Sequence, residues 1–134
     1  PIAHPVPSTP PSGIDRWALP PGAPLRVWIE PTSRAAGWTP RHDTLAAEAV
    51  TAWAAALPAL GLHRVPAAGA AHIRVRWSAE LSPAHPGLAL LHPSDAGLVG
   101  ADVWLPTRIP PRRTASADAL LSAVALHELG HTLG

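Results

Sequence analysis

The sequence predicts an α+β domain with a mixed sheet. Two signals carry that expectation: short stretches that alternate apolar and polar residues and are rich in β-formers, and two longer stretches whose apolar residues recur every three or four positions. Their order, a strand, a helix, further strands and a last helix, fits an α+β or a three-layer arrangement. At 134 residues the chain holds one domain's worth of core. A hydrophobic fraction of 47% and a charged fraction of 14% argue against wholesale disorder, while 18 prolines and 10 glycines put many turns between the elements.

Eight of the prolines fall in the first 24 residues, a density that favours extended polyproline conformation and forbids regular helix. Residues 1–23 therefore read as a lead-in or linker and 24–134 as the folded body. "LRVWIE", from Leu25, is a first strand ended by Pro31. An amphipathic helix follows, with Thr39 as N-cap, Pro40 at its first position, and Leu45, Ala49, Trp53 and Ala56 or Leu57 on one stripe, ending before Pro58. "LHRV" (62–65) and "HIRVRW" (72–77) are two more strands. "GLALLH" (87–92), between Pro86 and Pro93, is an edge strand, and "ADVWL" (101–105) the last strand. After a proline-rich loop, "ADALLSAVALHELGHT" is helical, with Ser116 or Asp118 at its start.

Composition excludes several functions. All ten basic residues are arginine, the net charge is +1, and no basic arm or recognition motif appears, so a nucleic-acid partner is not expected. With no cysteine, disulfide scaffolds, thiol catalysis and cysteine-bound metals are out. No apolar run reaches the roughly 18 residues of a membrane span. The first residue is Pro1 rather than methionine, so any signal peptide or pro-segment is expected upstream, and the chain reads as a fragment or processed product.

The chemistry is concentrated in "ALHELGHTLG", residues 125–134. His127 and His131 are four apart, which on a helix places both imidazoles on one face, a turn apart. They can meet one ion. Zinc accepts neutral imidazole nitrogen in tetrahedral geometry, and catalytic sites use three protein ligands and leave one position for water. Glu128 lies about 100° around the helix from His127, beside the metal rather than among its ligands. In an H-E-x-x-H helix the ion polarises a peptide carbonyl and acidifies a water, while the carboxylate takes the water's proton and returns it to the leaving amine. Gly130 sits inside the helix at a cost of about 1 kcal/mol relative to alanine, a position expected to serve close packing of another segment. Gly134 is placed to end the helix in left-handed conformation and turn the chain toward a third ligand.

"HELGHTLG" matches the first eight positions of H-E-x-x-H-x-x-G-x-x-H, and "VALHELGHTLG" resembles the matrixins, the matrix-metalloprotease-like metzincin peptidases, including their bacterial relatives. The specific part is the last eleven residues; the order of elements over 25–134 resembles a metzincin N-terminal subdomain more weakly. The resemblance implies a zincin-like fold with a mainly parallel twisted sheet. It gives His127 and His131 as zinc ligands, Glu128 as general base and acid, and Gly134 as the turning glycine. It implies a secreted endopeptidase acting on an extended peptide or protein substrate, which would pair with the edge strand through Leu88, Ala89 and Leu90. Ala123, four before the first histidine, would shape the pocket for the side chain after the scissile bond, and its small size suggests a roomy apolar pocket. Two departures stand out: the third histidine would fall at position 137, past the end of the sequence, and the chain has no methionine for the turn beneath the metal.

Other residues carry blander readings. His4, His42, His63, His72, His85 and His92 are expected as surface or capping residues. The family commonly holds further structural zinc and calcium, but His72, His85, His92, Asp95 and Asp102 show no recognisable spacing, so calcium is not supported by a motif. Among the six tryptophans, those in strands and helix are expected in the core, with Trp17 and Trp38 exposed in loops, and Arg112 and Arg113 as a solvated pair. Two rivals remain: a zinc peptidase of thermolysin type with a glutamate third ligand, against which Gly134 argues, and a non-catalytic peptide-binding module that keeps the fold.

Overall fold

The computed structural model describes residues 16–110 and 115–134. His4, the arginine pair at 112 and 113 and most of the expected lead-in lie outside these. The elements are β1 (Arg26–Ile29), α1 (Pro40–Ala56), β2 (His63–Arg64), β3 (Ile73–Ser78), β4 (Leu88–Ser94), β5 (Gly97–Pro106) and α2 (Ala117–Leu133), with short 3-10 turns at Pro58–Leu60 and Ala68–Ala70. The architecture is α+β: a mostly parallel five-stranded sheet in the order β2-β1-β3-β5-β4, with β4 antiparallel to β5 at one edge.

Strand alternation fixes which face is core. Val27 and Ile29, Ile73, Val75 and Trp77, and Ala101, Val103 and Leu105 all point to one face, where Leu45, Ala46, Ala49 and Val50 of α1 and Leu121, Ala125, Leu129 and Leu133 of α2 close over them. The arrangement is two layers, because both helices lie on that face. The other face carries half-buried Trp28, Arg74, Arg76, Asp102 and Trp104, with the Arg76 guanidinium 5.5 Å and 5.9 Å from the Trp28 and Trp104 ring centroids. Trp28 and Trp104 are thus not core residues; their positions in the alternation send them outward.

The two strands of the β4–β5 hairpin are longer than expected. β4 runs through Pro93 with a bulge at His92/Pro93, which an edge strand tolerates, and β5 starts at Gly97, four residues before the expected "ADVWL". Gly97 and Gly100 weaken the β signal there, and pairing with β4 supplies what the local sequence lacks.

The expected lead-in is part of the body from Arg16 onward. Trp17 is buried rather than exposed, bridging to Leu98, and the Ala18 N–H donates to the Leu98 carbonyl at 2.8 Å. Trp38 also packs against the core, and its indole N–H is buried without a partner among the described residues. Both tryptophans occupy irregular segments, where exposure is decided by contacts distant in sequence rather than by periodicity.

Candidate metal centre

α2 begins where Ser116 caps it, its side-chain oxygen accepting from the Ala119 N–H at 3.2 Å. Its buried stripe, Leu121, Ala125, Leu129 and Leu133, repeats every four residues, which fixes the rotation of the helix and sends His127 and His131 to the exposed side. The two imidazoles meet edge to face, with ring centroids 4.5 Å apart and Nε2 atoms 3.0 Å apart. One ring donates and the other accepts in that contact. Two nitrogens bound to one tetrahedral zinc stand about 3.4 Å apart by the geometry of ~2.0–2.1 Å bonds, so an ion can take the place of the shared proton with only a small adjustment.

Glu128 points to the side. Its residue is 6% exposed, and its Oε1 lies 3.9 Å from His131 Nε2, so one ligand atom from each of His127, Glu128 and His131 falls within 4.8 Å of the others. This group could hold a metal ion. The donor chemistry suits zinc, two neutral imidazoles with a carboxylate at the side.

The C-terminal turn of α2 is held from the other end of the described chain. Arg16 Nη1 donates to the His131 carbonyl at 2.7 Å and Trp17 Nε1 to the Thr132 carbonyl at 2.9 Å. These carbonyls are among the last four of a helix, which have no partner within it. Sequence reading missed this brace, since nothing local marks Arg16 and Trp17 as belonging to a helix 115 residues away. Gly134, the last residue of the sequence, has φ of 108°. Gly130 fills its expected role: a β-carbon there would stand 3.0 Å from Cζ2 of Trp53, whose indole N–H donates to the Leu126 carbonyl at 2.9 Å. The helix thus lies tightly against α1.

Between α2 and the free edge of β4 runs an open cleft of ≈ 500 Å³, lined by Arg16, Gly87, Leu88, Ala89, Leu91, Glu128, Gly130, His131 and Gly134. Of the expected substrate-binding residues, Leu88 and Ala89 line it together with Glu128 and His131. Leu90 does not; its side chain is on the outer face and 47% exposed. Ala123 is exposed one turn before His127 and is not in the cleft wall. Val124, its neighbour, instead reaches Gly87 at the start of β4.

Four of the other described histidines, His42, His63, His72 and His92, are occupied elsewhere. His42 Nδ1 accepts from the Thr39 N–H at 3.0 Å, the capping role expected of it; its Nε2 therefore carries the proton and donates to the Thr107 carbonyl at 2.8 Å. His92 Nε2 meets Asp102 Oδ2 at 2.6 Å. His72 Nδ1 accepts from the Arg26 N–H at 3.0 Å, and burial followed by the charge of Arg26 pushes its pKa down.

The fold and site together define a class, an α+β domain with a His-Glu-His group on its last helix beside a free sheet edge. No protein-family model matches the chain, and no curated protein is significantly similar to it. Among the described residues no helix is long and apolar enough to cross a membrane.

Proposed function

We propose that the chain is the N-terminal subdomain of a secreted, zinc-dependent endopeptidase of metzincin, matrixin-like type. One observation carries the reading: two imidazoles four residues apart on an exposed helix face, Nε2 atoms 3.0 Å apart, with a buried carboxylate beside them under an unpaired strand edge. His127 and His131 hold zinc, with the third ligand expected at position 137. Bound there, zinc supplies a Lewis acid for the scissile carbonyl and makes water more acidic.

The protein's own groups do the rest. Among the described residues no strand pairs with the outer edge of β4, and an extended peptide adds to it as an antiparallel strand through Leu88 to Leu90. That pairing lays the scissile bond across α2, beside Glu128. The carboxylate takes a proton from the attacking water and passes it to the leaving amine. Its burial shields it from bulk solvent, and the open cleft admits a chain rather than a small molecule.

The test uses the full-length protein. One zinc per chain, hydrolysis of an unstructured protein substrate and its loss on chelation are expected. Glu128→Ala lowers kcat by about 10²–10⁴, the range for a positioned general base, with zinc still bound. A protein that binds zinc and peptides but cleaves none, with Glu128→Ala indistinguishable from wild type, would establish the binding-module reading instead.

A further inference from the structure

Among the glycines, Gly87 stands apart. Its φ is not positive, so no backbone conformation requires glycine there. Space does. A β-carbon at position 87 would stand 2.5 Å from Cγ and 2.7 Å from Oε2 of Glu128, and 2.8 Å from Cγ1 of Val124. All three are well inside van der Waals contact, and the two nearest belong to the Glu128 side chain.

We propose that Gly87 is a positioning residue for Glu128: the bare backbone at the start of β4 forms the surface against which the carboxylate rests. The inference rests on the peptidase reading for its catalytic consequence, though not for its geometry. The entry of β4 passes directly over the carboxylate, so the strand that would bind substrate also sets where the base stands. Glu128 is held between Gly87 on one side and α2 on the other, which accounts for a carboxylate that is 6% exposed in a cleft otherwise open to water. Val124, touching the same point from one turn earlier on α2, closes the end of that slot. Alanine at 87 presses on both the Glu128 side chain and the Val124 methyl, and the unbranched Glu128 side chain has the freer torsions with which to yield.

The experiment is a cycle of Gly87→Ala and Glu128→Ala in the zinc-loaded full-length protein, with kcat, KM, zinc affinity and melting temperature measured for all four forms. G87A alone lowers kcat by about 10²-fold, the size of effect a misplacement of roughly 1 Å produces, with KM and zinc affinity nearly unchanged. In the Glu128→Ala background the same substitution lowers kcat no further, because the carboxylate it displaces is gone, while any loss of melting temperature shared by both backgrounds reports its contact with Val124. Equal losses of kcat in both backgrounds would mean that Gly87 matters to the strand alone and would overturn the proposal. So would an unchanged kcat in an active wild type. Crystal structures of wild type and G87A, without metal, separate this from the peptidase reading: a displaced Glu128 carboxylate over unmoved β4 and α2 backbones supports the positioning role even if no peptide is cut. An unmoved carboxylate refutes it whatever the activity.

Discussion

The two helices have equal length, 17 residues each, and both bury an apolar stripe against the same sheet face, yet their polar residues are used in opposite ways. On α1, polar groups are tied into the fold. His42 links the N-cap at Thr39 to the Thr107 carbonyl, and Asp43 takes a two-pronged ion pair from Arg64 of β2. On the last two turns of α2, His127, Glu128 and His131 turn toward one another and, among the described residues, make no polar side-chain contact elsewhere. A polar group whose bonding capacity is satisfied by its own scaffold is structural. Groups that converge and retain capacity can accept something from outside, and this group could hold a metal ion.

Substitutions can break this contrast, beginning with the largest effect. Leu45→Ala on α1 opens a cavity beneath the sheet and is expected to cost about 2–5 kcal/mol in urea unfolding, leaving zinc affinity of the folded protein intact. His131→Ala does the reverse. Its side chain is 57% exposed, so the metal-free protein changes by less than about 0.5 kcal/mol. Competition with a chelator should show zinc affinity lower by more than the 10–100-fold typical of losing a group that only orients a ligand. If the two variants lose affinity and stability in the same proportion, the division between scaffold helix and site helix fails.

A smaller effect sharpens the comparison by asking what holds α2 in place. Trp17→Phe keeps most of the buried ring but strands the Thr132 carbonyl, a loss of about 1–3 kcal/mol for an unsatisfied buried group. Hydrogen exchange should quicken in the last turn of α2 and stay unchanged along α1. Uniform acceleration over both helices would show that Trp17 supports the core at large rather than the metal helix.

The smallest effect concerns pH and lies away from both helices. His72 is half-buried beside Arg26, and its folded pKa lies below the unfolded value of 6.5. The unfolded chain therefore binds the proton first, so stability from this group is complete above pH 6.5 and declines as pH falls through the folded value. His72→Asn, which keeps an acceptor for the Arg26 N–H, should flatten that part of the stability curve. An unchanged acid slope would mean that another group governs it.

Much of this was legible in the chain itself. The i, i+4 histidines and the glutamate between them follow from helix geometry alone, because all lie within two turns of one element. The edge strand and the order of the elements could be read because prolines and alternating residues mark local boundaries. What the sequence could not show is contact between positions far apart. Trp17 looked like a loop residue until it met Thr132, and Trp28 and Trp104 looked like core until the sheet placed both helices on the opposite face. Gly87 read as an ordinary strand start. Its meaning depends on Glu128, 41 positions later by count (128 − 87), lying against it. Periodicity records what repeats along one element, whereas the approach of two elements depends on how they pack; the histidine pair that could hold a metal was therefore set by sequence, and the brace on its helix and the seat of the neighbouring carboxylate by the tertiary fold.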